Sequence, residues 1–192
     1  MSPRQQSPFS FEYVLLGIIY QHPIHGYELF KEVSQLEGIA LIWKVKQSQL
    51  YALLDKLEIE GYIQSTLIPN EARPTRKQYC LTEAGLASFL AWVQTPVKHG
   101  RDIRQDFLAR LYFAQRLGKD AVTLLLEQQK EVCQTWRDGV NLRLKSLVDS
   151  HSFDRLIYEY RLKQMDATLS WLDDCWEILE KTWQISQFQG PD

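Results

Sequence analysis

The chain has 192 residues, with 24 acidic and 22 basic side chains, 45% hydrophobic residues, nine Gly and seven Pro. This composition excludes a disordered or collagen-like chain, and it leaves enough sequence to bury a core in one large or two small domains. The net charge is −2, and neither half, divided after Gly100, is basic as a whole, so nucleic-acid binding would have to rest on local patches.

Met1 to Ser10 is a polar, Pro-containing N-terminal extension (1–10), unlike the apolar core of a signal peptide. No run approaches the roughly 18 apolar residues of a membrane span, so a cytoplasmic protein without a membrane partner is expected. Ser10 is placed to cap a first helix over Phe11 to Tyr20, which Gln21-His22-Pro23 ends. A second amphipathic helix, His25 to Glu37, carries Tyr27, Phe30, Val33 and Ser34 at helical spacing and stops at Gly38. After a connector from Ile39 to Val45, the segment Lys46 to Glu60 sets Leu50, Leu53, Leu54 and Leu57 on one stripe and stops at Gly61. Tyr62 to Ile68 and Lys77 to Leu81 read as the strands of a β-hairpin around a polar loop, and Thr82 caps a fourth helix, Glu83 to Val93. That element order predicts a winged helix-turn-helix domain over 11–95.

Pro96 to Gly100 reads as a linker, and the remainder, 101–188, reads as all helix: Ile103 to Leu117, Lys119 to Leu147 and Phe153 to Ser186. In the middle helix Gln129 interrupts an otherwise apolar stripe. In the last helix Tyr158, Leu162, Met165, Leu169, Leu172, Trp176, Leu179 and Trp183 follow in alternating steps of four and three, the register of a helix-packing seam. Three long helices leave much apolar surface uncovered, which a second chain usually covers. Leu162, Met165, Leu169, Leu172, Trp176, Leu179 and Trp183 are therefore the expected dimerisation residues of a homodimer. The expected fold class is mainly α: an N-terminal winged helix-turn-helix with a two-stranded wing, and a C-terminal all-helical dimerisation domain.

Catalysis has little support. His22, His25, His99 and His151 fall in no metalloprotease, nucleophile-elbow or phosphate-loop motif. Cys80, Cys133 and Cys175 are odd in number and far apart, which suits neither a disulfide framework nor a zinc ribbon. No enzyme activity, metal or cofactor is expected. The third helix is more informative. With its leucines inward, Ser48, Tyr51, Ala52 and Asp55 point outward, flanked by Gln47 on one side and Gln49 and Lys56 on the other. Lys44 and Lys46 stand at its N-terminal end, where the helix dipole favours anions over cations, so a bound phosphate would explain them. Gln47 and Gln49 have the donor–acceptor pair that reads adenine, each good base contact being worth about 1–3 kcal/mol of discrimination. Arg73, Arg76 and Lys77 then put three cations in the hairpin loop, where a wing would grip a DNA backbone.

Leu16-Gly17, His25-Gly26-Tyr27-Glu28, Trp43, Gln47-Ser48-Gln49-Leu50-Tyr51, Leu57-Glu58, Glu60-Gly61, Arg76-Lys77-Gln78-Tyr79 and Leu81-Thr82-Glu83-Ala84-Gly85 resemble, in that order, the PadR family of transcriptional regulators. Gln105-Asp106-Phe107, Leu111-Tyr112-Phe113 and Ser170-Trp171-Leu172 are similar to its subfamily with long C-terminal helices. The resemblance implies a dimeric repressor of a pseudo-palindromic operator, released by a small, often aromatic (phenolic), effector. It assigns major-groove contact to Lys46, Gln47, Ser48, Gln49 and Tyr51 and backbone contact to Arg73, Arg76 and Lys77. It leaves Gly26 and Tyr27 to pack the second helix. Ala52 stands where many members carry Pro. The competing expectation is a winged-helix protein-interaction adaptor with a coiled-coil-like helical domain, which near-neutral charge suits but a cationic wing does not, because protein interfaces deplete Lys.

Overall fold

The computed structural model describes residues 10–36, 38, 45–68, 76–147 and 152–188, with the backbone alone for Ser10, Ser152 and 182–188. Its first half runs α1 (Ser10–Gln21), β1 (Ile24–His25), α2 (Gly26–Gln35), α3 (Gln47–Ile59), β2 (Ile63–Ile68), β3 (Arg76–Leu81) and α4 (Glu83–Gln94). A 3-10 turn (Gly100–Asp102) and a π turn (Ile103–Phe107) lead into α5 (Leu108–Leu117), α6 (Lys119–Lys145) and α7 (Ser152–Phe188). This is the winged helix-turn-helix followed by a helical region that the element order predicts. Among the described residues, no helix is long and apolar enough to cross a membrane.

Several local expectations change. Ser10 is the first helical residue rather than a cap. The sheet has three strands, in the order β1-β3-β2 and antiparallel throughout, because Ile24 and His25 pair with Tyr79 and Gln78. Two residues are too few to show an alternating pattern, so β1 leaves no periodic signal. α2 starts at Gly26, and its buried face is Gly26, Leu29 and Val33 rather than the stripe of Tyr27, Phe30, Val33 and Ser34. Tyr27, expected to pack α2, is instead 62% exposed. The Thr82 cap is present, its hydroxyl oxygen accepting the Gly85 N–H at 3.0 Å.

Leu50, Leu54 and Leu57 of α3 join Val14, Leu15, Leu16 and Ile18 of α1 in a buried cluster. The same cluster continues into the second half through Phe89, Trp92, Phe107 and Phe113. The ring of Phe113 on α5 lies edge-on to Phe89, with centroids 5.4 Å apart. It also presses on the backbone of α1 at Gly17, where a Cβ would come within 2.4 Å of the ring, so only glycine admits this approach.

Residues 96–100, predicted as a linker, are anchored. Val97 is buried; its N–H donates to Gln129 Oε1 at 2.8 Å, and its carbonyl accepts from Gln129 Nε2 at 3.4 Å. The polar residue that interrupts the α6 stripe is thus fully buried and satisfies the backbone of the inter-domain connection. Arg110 works beside it. Its Nη1 donates to the carbonyls of Trp92 (3.2 Å) and Thr95 at the C-terminal end of α4, where a cation is favoured, and its guanidinium lies over the Trp92 ring. Gln129→Leu keeps the volume but strands both Val97 groups. It is expected to lower stability by about 1–3 kcal/mol, read as a lower urea midpoint. An unchanged midpoint would refute this clamp.

Candidate nucleic-acid interface

α2 and α3 approach closely because α2 begins with glycine: a Cβ on Gly26 would meet the Tyr51 ring at 2.7 Å. Lys46 occupies the cap position of α3, with Gln47, Ser48 and Gln49 exposed in the first turn and Tyr51 partly exposed one turn on. Gln49 is already engaged, its Oε1 accepting the Lys46 N–H at 3.1 Å. The carboxamide therefore does for this terminus what a capping side chain does, and it cannot offer its acceptor to a base while it holds that bond. Lys56 turns away from the exposed face. Its ammonium pairs with the buried Glu12 of α1 at 2.8 Å and with Glu60 at 3.7 Å, which raises its pKa above the usual lysine value.

The wing is held on two sides. On one, β1 pairs with β3 and His25 Nδ1 lies 3.1 Å from the Lys77 carbonyl. On the other, Glu58 of α3 accepts from the Ser65 hydroxyl of β2 at 2.5 Å and from Lys77 Nζ of β3 at 3.0 Å. The Ser65 hydrogen bond, then that of Lys77, pulls the Glu58 carboxyl below its usual value, and the Glu58 hydrogen bond pushes Lys77 above its own. Lys77 is thus a partly neutralised cation. Lys46 and Arg76 are exposed and, among the described residues, neither side chain has an acidic partner. Between α2, α3 and β3 lies a cavity of about 450 Å³, to which Tyr27, Tyr51, Arg76 and Lys77 all contribute.

Tyr51, Arg76 and Lys77 thus border one cavity, and Lys46, Gln47, Ser48 and Gln49 form the exposed start of the same α3, while Lys44 and Arg73 lie outside the described residues. Sequence reading missed Tyr27 and Glu58. The first is recoverable from the burial of Gly26, Leu29 and Val33, which forces Tyr27 outward; the second leaves no signal until the wing is folded back on α3.

The seam residues of α7 divide differently. Leu172 is fully buried within the chain, and Leu169, Trp176 and Leu179 pack on the same core. Lys119 of α6 sits over the Trp176 ring at 5.1 Å, and Lys119–Glu180, Lys130–Asp173 and Arg137–Asp166 pairs tie α6 to α7. Leu162 and Met165 are half-buried, and the Trp183 side chain lies outside the described residues. The apolar surface left outward is another set: Phe153, Leu156, Ile157 and Tyr160, at i, i+3, i+4 and i+7.

The model of the transcriptional regulator PadR-like family matches residues 15–91, and that of the virulence activator alpha C-terminal region matches residues 103–180. The chain belongs to the PadR-like family of transcriptional regulators. Among curated relatives, the negative transcriptional regulator PadR of Bacillus subtilis is 22% identical over 179 residues, covering 88% of this chain and 97% of its own. A probable transcriptional regulator of Mycobacterium tuberculosis is 22% identical over 186 residues, with the same coverage. Among solved structures, B. subtilis PadR in complex with operator DNA is 20% identical and covers 90% of this chain and 99% of its own, with a TM-score of 0.46. A PadR-like regulator of Bacillus cereus is 32% identical and covers 41% of this chain and 73% of its own, with a TM-score of 0.36.

In this PadR-like regulator the ionised Glu58 carboxylate ties the wing to α3 through Ser65 and Lys77. The folded pKa of Glu58 lies below the usual 4.5, so its contribution is complete above that value and is lost as pH falls through the folded pKa. The stability gap between the wild type and Glu58→Gln is expected to hold steady from about pH 7 to about pH 5 and to close below about pH 4. Urea melts at stepped pH measure it, and a gap that widens on acidification contradicts the pairing.

Proposed function

We propose that this PadR-like chain acts as a homodimeric, ligand-responsive repressor that reads a pseudo-palindromic operator through the first turns of two α3 helices. What supports this reading is the exposed start of α3, Lys46, Gln47 and Ser48, together with Arg76 of the wing: hydrogen-bonding groups and two cations without acidic partners among the described residues. Lys46 and Arg76 are assigned to phosphates, and Gln47 and Ser48 to base edges. Tyr51 borders the groove contact. Gln49 reads a base only after releasing the Lys46 N–H, and Lys77 reaches a phosphate only by loosening its pair with Glu58, so both are secondary contacts. Lys44 and Arg73 complete the proposed set. Two such domains fit successive major grooves when their α3 helices lie about 34–36 Å apart.

For the dimer contact, the outward face of α7 suits better than the seam. At about 100° per residue, Phe153, Leu156, Ile157 and Tyr160 lie roughly opposite Leu162, Leu169 and Leu172, which leaves α7 apolar on both sides. One side is covered by the chain's own core, and a second copy is the proposed cover for the other. The effector proposed is a small aromatic acid; B. subtilis PadR, the relative described above, has been solved with p-coumaric acid.

Binding to a duplex from the protein's own upstream region, against a random duplex over a range of salt, tests the reading. Selective, salt-steep binding is expected, and equal affinity for both duplexes at every salt would sink it. Arg76→Ala should weaken both duplexes alike and reduce the salt slope by roughly one unit, with Lys77→Ala acting less strongly. Gln47→Ala should lower selectivity more than overall affinity. In sedimentation, Tyr160→Asp should shift the protein toward monomer with its helix content kept, whereas Trp176→Asp should lower stability as well. A dimer indifferent to Tyr160→Asp rules out that face.

A further inference from the structure

Tyr27 takes no part in the core. It is 62% exposed on a helix that buries Gly26, Leu29 and Val33, and its hydroxyl has no partner among the described residues. A single exposed aromatic is ordinary on a protein surface, so its place is what matters. The β1–α2 corner, His25 to Glu28, is wedged between the two elements proposed to touch DNA. On one side Gly26 leaves room for the Tyr51 ring of α3, and on the other His25 pairs with Gln78 of β3, two residues beyond Arg76. His25 and Tyr27 therefore line the cavity that Tyr51 and Arg76 also line. A duplex that reaches both Tyr51 and Arg76 has to pass over the corner between them. The cavity is balanced in charge: Arg76 and Lys77 of β3 stand against Glu28 of α2 and Asp55 of α3, Lys77 is already paired with Glu58, and Tyr51 and Tyr79 are the other titratable groups. The His25 ring is held so that a proton adds charge without breaking a bond. Its Nδ1 lies 3.1 Å from the Lys77 carbonyl, which can only accept, so Nδ1 carries the hydrogen and Nε2 is the atom that takes up a proton.

We infer that the β1–α2 corner is a third DNA-contacting element beside α3 and the wing: the Tyr27 hydroxyl donates to a backbone phosphate, and His25, once protonated, adds a positive charge at the same place. The inference rests on the operator-binding reading and extends it to two residues outside the set assigned there. A tyrosine hydroxyl is a common partner of DNA phosphates and carries no sequence information. With two cations against two acids, the cavity offers an incoming phosphate little net attraction, and one imidazolium tips that balance. The coupling has a fixed sign. A phosphate beside His25 favours the protonated ring, so binding takes up a proton, and affinity rises as pH falls through the range in which imidazoles titrate. His22, which pairs with Glu32 at 3.3 Å and does not line the cavity, is the natural control.

The test is binding of the full-length protein to the upstream and random duplexes from about pH 8 to about pH 6 at constant ionic strength, for the wild type, Tyr27→Phe, His25→Gln and His22→Gln. Tyr27→Phe removes one hydroxyl from an exposed position and should weaken both duplexes by the same factor, about three- to tenfold. Wild-type affinity should rise at least about threefold from the alkaline to the acid end. His25→Gln keeps a donor for the Lys77 carbonyl but cannot be protonated, so it should match the wild type at the alkaline end and show a flat profile, while His22→Gln should follow the wild type throughout. Unchanged binding by Tyr27→Phe, or a loss confined to the upstream duplex, overturns the phosphate contact. A wild-type affinity independent of pH, which needs no variant to read, or a His25→Gln profile as steep as the wild type's, overturns the role of His25. Selective binding that survives these failures leaves the operator reading standing and the corner refuted, whereas a wild type that binds neither duplex, or both alike, takes the operator reading down and the corner with it.

Discussion

The arrangement depends on one buried carboxamide. Gln129 is a polar side chain in the middle of an apolar helix face, and its burial is tolerated only because Val97 presents an N–H and a carbonyl that need the same partners. Arg110 closes the joint from the other side by taking the last carbonyls of α4. Between them the connection from the winged helix to the helical region is pinned at two points. Phe113, lying on Gly17, adds an apolar third. Such a joint is stiff, and stiffness matters there because any slack is multiplied along the length of the domain it carries. Hydrogen bonds serve better than apolar packing for this, since they fix direction as well as distance.

The same economy of polar contacts shapes the recognition edge. Glu58 holds the wing to α3 by accepting from Ser65 and Lys77. That fixes the wing but lowers the charge that Lys77 can offer to a phosphate. Among the described residues Arg76, one residue earlier on β3, has no such tie, so the two neighbouring cations of the wing differ: one is held to α3 and one is not. The acid on α3 is thus what ties that strand to the helix. Gln49 shows the same division within α3, where its acceptor completes the helix terminus and the neighbouring Gln47 and Ser48 are left exposed for contact.

How much of this was legible follows from the range of each interaction. Helices show in sequence because their apolar spacing repeats, so α1, α3, α4 and α7 stand close to their expected bounds, and Thr82 caps α4 as its residue type suggests. β1 was not legible, because two residues paired across more than fifty positions leave no period. Tyr27 was misplaced because Tyr27, Phe30, Val33 and Ser34 were read as one stripe, whereas α2 buries Gly26, Leu29 and Val33. Gln129 stood out as a break in a stripe, yet its partner, Val97, is a backbone group, and backbone groups are invisible to side-chain patterning. The heptad of α7 identified a packing seam correctly as a pattern, but a pattern does not say whether the partner helix belongs to the same chain. Here α6 supplies it at Leu169, Leu172, Trp176 and Leu179.

That last distinction bears on how the two halves communicate. Because α7 packs its seam against α6, any shift of α6 is carried to α7, and the opposite face of α7 then carries it to whatever covers Phe153, Leu156, Ile157 and Tyr160. α6 also holds Gln129, hence Val97, and hence the approach to the winged helix. One helix therefore touches both the inter-domain joint and the helix that bears the outward apolar face. A packed core responds to such a shift by moving between discrete arrangements rather than by bending smoothly.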